Sequence, residues 1–191
     1  MRTTVFALAA AALFATAAQA APATYAIDPT HTFATFEIDH FGASTNRARF
    51  DKKSGTVSFD KEAKTGKVEV ELDMTSVNTG TPAFNKHLQS AEIFDAEKFG
   101  TAKFVSDKFV YDGDKLKEVT GQLTLKGKTA PITIKANKFT CYESPMLQKR
   151  EVCGGDFEAT IDRTQWGVNY GIPYGFPKEV RLVLQIEAVK Q

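Results

Sequence analysis

Val68-Glu69-Val70-Glu71-Leu72-Asp73 alternates apolar and acidic residues without a miss. A period of two sends Val68, Val70 and Leu72 to one face of a strand and the three carboxylates to the other. That is the pattern of a strand with one face in a core and one in water. Ile132-Thr133-Ile134-Lys135-Ala136 and Phe157-Glu158-Ala159-Thr160-Ile161-Asp162 read the same way. Near the C-terminus Leu182, Leu184, Ile186 and Ala188 share one face, while Arg181, Gln185 and Glu187 share the other. Further strands are predicted at 24–28, 32–41, 56–60, 101–111 and 115–125. Asp112-Gly113-Asp114 and Lys126-Gly127-Lys128 separate neighbouring runs at hairpin length, so adjacent strands should be antiparallel. One helix is predicted near 82–91, with Pro82 in its first turn.

Eight or nine such strands must manage their edges, and closing into a barrel removes the edges altogether. No repeat or linker divides the chain. The expectation is therefore an all-β fold: a single extended antiparallel β-barrel of about eight strands with one short helix. At that size the interior either fills with side chains or holds one elongated apolar ligand. Fifteen phenylalanines, two of them (Phe6 and Phe14) within the first twenty residues, leave thirteen for the rest of the chain. Phe33, Phe36, Phe50, Phe59, Phe94, Phe104, Phe109 and Phe157 fall in or beside strands. A Phe-rich solid core and a Phe-lined cavity for an acyl or prenyl chain both fit that placement.

The 191 residues are 42% hydrophobic and 25% charged, enough to bury a core and too apolar for a disordered chain. Lys and Arg total 24 against 23 Asp and Glu. So even a balance offers no electrostatic footprint for nucleic acid or for an acidic membrane surface. Residues 1–20 read as a secretory signal peptide: Met1-Arg2, an apolar Thr3–Ala18 stretch, then Ala18-Gln19-Ala20 for cleavage after Ala20. The mature domain is then 21–191. In an oxidising compartment the two cysteines, Cys141 and Cys153, are expected to form a disulfide. No Cys-x-x-Cys is present and no His lies between them, which weighs against a metal pair or a redox couple.

Catalytic signatures are missing from the sequence. There is no Gly-x-Ser-x-Gly and no His-Glu-x-x-His, and Gly121–Thr129 misses phosphate-loop spacing by one residue. His31, His40 and His87 are far apart, and each reads as an ordinary hydrogen-bonded side chain near a strand end. No cofactor, no metal and no catalytic residue is assigned.

Six segments run in order across 24–190: Tyr25-Ala26-Ile27-Asp28-Pro29-Thr30-His31-Thr32, Phe36-Glu37-Ile38-Asp39-His40-Phe41-Gly42, His87-Leu88-Gln89-Ser90-Ala91-Glu92-Ile93-Phe94-Asp95, Phe104-Val105-Ser106, Val119–Thr129 and Asp162-Arg163-Thr164-Gln165-Trp166-Gly167. Together they resemble the YceI family of exported, lipocalin-like proteins. Asn85, Ile93, Gly100 and Ala48 depart from the family pattern at single positions. The resemblance implies a periplasmic protein whose extended barrel encloses a long apolar tunnel. It also implies a polyisoprenoid, isoprenoid-quinone or fatty-acyl ligand and a homodimer, and a cargo of that kind brings the expectation of transient membrane contact. Alternation and the matched motifs together nominate Phe36, Ile38, Phe50, Phe94, Phe104 and Trp166 as lining, with His40 and Asp95 either meeting a polar head or serving the structure. A solid-core domain acting through its surface in stress or adhesion, and a lipid hydrolase or isomerase using His31, His40 or His87, are the competing functions.

Overall fold

Residues 68–73 fall in a nine-residue strand, one of eleven that form a single sheet in the computed structural model, which describes residues 22–191. In chain order the strands are β1 (Ala23–Ile27), β2 (Phe33–His40), β3 (Ser44–Phe50), β4 (Lys53–Asp60), β5 (Thr65–Asp73) and β6 (Val77–Asn78). Helix α1 (Pro82–Gln89) follows, then β7 (Thr101–Asp112), β8 (Lys115–Leu125), β9 (Lys128–Glu143), β10 (Glu151–Asp162) and β11 (Glu179–Lys190). The expected signal peptide lies outside the described residues.

Every strand pair is antiparallel, as the short Gly-containing turns require. The circuit β1-β4-β5-β7-β8-β9-β10-β11 closes through Tyr25↔Lys190, Ala26↔Val189 and Ile27↔Ala188, giving an eight-strand barrel. The expected all-β barrel with one helix is thus what forms. Its helix ends at Gln89, where Ser90 N–H donates back to the His87 carbonyl. β3 and β6 were not predicted; they extend the sheet outward from β2.

Two strands share one edge of β11. β1 covers its last residues, and β2 covers Arg181–Gln185. The step between them, Asp28–Thr32, must satisfy the backbone of β11 where neither strand reaches. Asp28 N–H donates to the Glu187 carbonyl at 2.9 Å, and the buried Thr32 hydroxyl accepts from Glu187 N–H at 3.1 Å. His31 belongs to this turn: its Nδ1 sits 2.7 Å from Asp28, whose carboxylate raises the imidazole pKa. It is an exposed turn residue.

The outward faces are charged. Glu37 accepts from Arg47 at 2.8 Å and Arg181 at 3.0 Å, and Arg181 also reaches Glu158 at 2.7 Å. These contacts tie β3, β2, β11 and β10 across the outside, each contributing little alone in exposed surroundings. Among the described residues no helix is long and apolar enough to cross a membrane.

Cys141 and Cys153 lie opposite each other on β9 and β10 and form a disulfide. With a sequence separation of 12, its loss should lower stability by about 3 kcal/mol. Urea unfolding of the Cys141→Ser/Cys153→Ser protein checks this. A midpoint equal to that of the oxidised protein would mean the bridge constrains nothing that the hairpin does not already constrain.

Candidate functional site

The apolar faces of the alternating strands meet around an elongated cavity with two lobes. The inner lobe has a volume of about 160 Å³. Val68, Val70 and Leu72 line it from β5, Ile132 and Ile134 from β9, and Leu184 and Ile186 from β11. Its far end is packed by rings. Phe59 stacks on Phe109 with centroids 6.2 Å apart and meets Phe139 edge-on at 5.7 Å. Tyr25 completes this plug at 2% exposure and turns its hydroxyl outward to Glu151 at 2.5 Å. Burial, then the hydrogen bond and charge of Glu151, push the Tyr25 phenol pKa far up. Lys61 pairs with the same carboxylate. The Tyr25 hydroxyl is therefore engaged outside the lobe, and the lobe's lining is almost wholly hydrocarbon.

The outer lobe is larger, about 380 Å³. Phe36 from β2, Phe50 from β3 and Phe94 form a three-ring wall with centroids 5.9–6.2 Å apart. Phe84 and Leu88 of α1 face them, which is what the helix contributes. Ala34, Leu72, Ala102, Leu123, Leu182 and Leu184 line both lobes, so the two meet end to end at a waist. Phe104 is held beside that waist by a close backbone approach. A Cβ on Gly121 of β8 would stand 2.6 Å from Phe104 Cζ, so only glycine fits there.

Polar groups gather at the outer end: His40, Asn46, His87, Arg163 and Tyr170. His87 meets the Tyr170 ring edge-on at 4.8 Å, and His40 lies 5.3 Å from the Phe176 ring. Arg163 is 7% exposed. Its Nε donates to the Pro177 carbonyl at 3.0 Å, and its Nη1 to the carbonyls of Val168 at 2.9 Å and Tyr170 at 2.8 Å. Its Nη2 has no partner among the described residues. Burial lowers the guanidinium pKa, yet the ordinary value is high enough to keep it charged. No carboxylate lines either lobe, and the described residues contain no cluster of three metal-ligating side chains. The arrangement is a hydrocarbon slot with hydrogen-bond donors at one end. It suits a long apolar molecule with an oxygen-bearing head.

Of the residues nominated from sequence, Phe36, Ile38, His40, Phe50 and Phe94 sit on the outer-lobe wall and Phe104 on the inner. Two lie elsewhere. Trp166 is 1% exposed and donates its Nε1–H to the Leu123 carbonyl at 2.8 Å, a buried anchor behind the wall. Asp95 occupies a left-handed turn after α1, where its backbone carbonyl accepts from Lys98 and Phe99. The nomination missed the aliphatic half of the lining. The alternation that locates β5, β9 and β11 already points those side chains inward, but no matched motif singles them out. Arg163, His87 and Tyr170 come from three separate elements, and no local pattern joins them.

The description "YceI-like domain" matches residues 25–188. Protein YceI of Escherichia coli O157:H7 is 34% identical over 194 aligned positions, covering 100% of both chains. Protein YceI of Salmonella arizonae is 33% identical over 184, covering 95% of this chain and 94% of that one. Among solved structures, Burkholderia cenocepacia BcnA superposes with a TM-score of 0.70 at 23% identity, over 84% of this chain and 98% of its own. A polyisoprenoid binding domain from Saccharophagus degradans, implicated in plant cell wall breakdown, gives 0.63 at 16% identity, over 89% and 99%. At those identities the two structures share the fold.

Proposed function

The chain belongs to the YceI family, and from that membership we propose that it is a periplasmic binding protein. Its cargo is a long-chain apolar lipid (a polyisoprenoid, an isoprenoid quinone or a fatty-acyl molecule), carried or sequestered inside the barrel. The observation that carries the reading is the pair of adjoining lobes inside the barrel, lined by hydrocarbon, with polar groups gathered at the outer end. The Saccharophagus domain of the same fold, described as polyisoprenoid binding, supports it.

A chain of about forty carbons gains on the order of 30 kcal/mol on leaving water, at ~0.8 kcal/mol per carbon. That exceeds the roughly 18–21 kcal/mol at which non-covalent affinities saturate. Such a ligand is never free in water, and its competing site is a bilayer. Against that reference the apolar gain nearly cancels. Selection then rests on tunnel length, tunnel shape and the donors at the mouth. His40, Asn46, His87 and the unpaired Nη2 of Arg163 are the groups placed to meet a head group. Carriage is favoured over turnover because neither His40 nor His87 has a lining carboxylate to orient it as a base.

Native mass spectrometry on protein purified from a periplasmic fraction, followed by solvent extraction, tests this. The expected spectrum shows a stoichiometric adduct, and the extract holds a polyprenol, quinone or acyl lipid, chemically unaltered after long incubation. The same spectrum reads the dimer that the family resemblance implies. A clean unliganded mass that persists after incubation with membrane lipids would return the solid-core reading. A modified lipid would return the enzyme.

A further inference from the structure

Five large apolar side chains are strongly exposed among the described residues, and three of them surround the tunnel mouth: Phe41 at 56%, Tyr170 at 41% and Tyr174 at 76%. Phe41 packs on Phe176 with centroids 4.7 Å apart and on His40 at 5.0 Å, and both of those line the outer lobe. Gly175, next to Tyr174, lies against the Phe41 ring. Two loops therefore stand together at the rim: the β2–β3 turn and the 167–177 segment pinned by Arg163.

Both loops lack charged residues along their own length, while the Asp39 carboxylate accepts from Gly42 N–H at 2.7 Å and the Lys128 ammonium lies against Gly167. A quarter of the chain is charged, yet Thr164 to Pro177 carries no Asp, Glu, Lys or Arg, and neither does Phe41 to Asn46. The turn itself is built against local preference. Phe41 and Gly42 have φ of 58° and 72°, and Ala43 N–H donates to the His40 carbonyl at 3.1 Å, a two-residue hairpin turn. Asn or Gly suits the first of those positions, whereas a bulky side chain there is strained. That strain holds a large apolar ring out in solvent at the edge of a cavity.

We propose that this aromatic rim is a membrane-docking surface, which seats the tunnel mouth in the interfacial layer of a bilayer. The choice of occupant rests on the lipid-carrying reading of the tunnel: a cargo insoluble in water must enter and leave from a bilayer. Aromatic side chains that are apolar at one end and polar at the other settle at that interface. Docking through these rings rests on apolar burial, which a phosphatidylcholine bilayer supplies without anionic lipid.

The test is flotation of the purified, lipid-loaded protein with phosphatidylcholine vesicles, compared with the Phe41→Asn/Tyr174→Ser protein. Neither residue lines the tunnel, and Asn suits the left-handed turn, so the double variant should fold and keep its bound lipid in the absence of vesicles. Vesicle association should fall by about tenfold, the effect of keeping roughly 60 Å² of apolar surface out of the bilayer. Lipid transfer to vesicles should slow in parallel. Equal association of the two proteins would overturn the proposal. So would loss of a dimer in the variant with vesicle binding unchanged, since a second copy would then be what covers the rim. A protein that floats through this rim but never holds lipid would leave docking intact and overturn the carrier reading instead.

Discussion

Ala34→Trp should abolish retention of long lipids while sparing short ones. Ala34 is only half-buried and lines both lobes, so an indole there projects into the waist and seals the inner lobe from the outer. A chain that threads both lobes then leaves part of its tail without a site. Excluding even about four carbons costs roughly 3 kcal/mol, on the order of a hundredfold in Kd. A ligand short enough for the outer lobe alone loses nothing. The measurement is competition between farnesol and an octaprenol for the purified barrel, with the octaprenol selectivity expected to collapse. Leu182→Trp, at the same waist from β11, serves as a second variant if the first fails to fold. Octaprenol retained equally by both variants would mean that long chains do not pass the waist.

The waist shows where the sequence was legible and where it was not. Period-two alternation identifies the inward faces of β5, β9, β10 and β11, because a strand with one wet face has to alternate. It does not say whether those faces touch across the middle. Phe36, Phe50 and Phe94 would point inward in a packed core as well as in a lined cavity. The distinction depends on barrel girth against summed side-chain volume, and strand number sets girth only once closure is known. Closure here hangs on three residue pairs between β1 and β11, the kind of long-range contact that no local pattern encodes.

β3 escaped prediction for a related reason. Ser44-Thr45-Asn46-Arg47-Ala48-Arg49-Phe50 buries only Ala48 and Phe50, and Asn46 faces the polar mouth. Its apolar period is too sparse to read, and its pairing with β2 and β6 supplies what composition does not. Asp95 is legible only in part: the matched motif leaves a head-group contact and a structural role both open, and its left-handed backbone at φ 51° places it in a turn that lines neither lobe.

Trp166→Ala should be the most destabilising single substitution outside the strands. Trp166 ends a 3-10 turn, Arg163–Trp166, that leaves β10, and Gly167 stops it with φ of 72°. The indole is 1% exposed, and its Nε1–H satisfies the Leu123 carbonyl on β8 at 2.8 Å. This one side chain therefore fixes the turn to the barrel wall. Arg163, in the same turn, then holds the carbonyls of Val168, Tyr170 and Pro177. Truncation removes a large buried ring and leaves a cavity, about 3–5 kcal/mol for Trp→Ala. It also removes the indole hydrogen bond to the Leu123 carbonyl, adding about 0.5–1.5 kcal/mol. Trp166→Phe keeps most of the ring volume and should lose mainly the hydrogen bond, so the difference between the two variants separates packing from pairing. Because Trp166 is the chain's only tryptophan, unfolding has to be followed by circular dichroism. Hydrogen exchange adds the mechanistic readout. If the anchor organises the mouth, amides of 167–177 should lose protection in Trp166→Ala well before those of β9 and β10. Uniform loss across the barrel would instead make Trp166 a core residue like any other, with the mouth loop held by Arg163 alone.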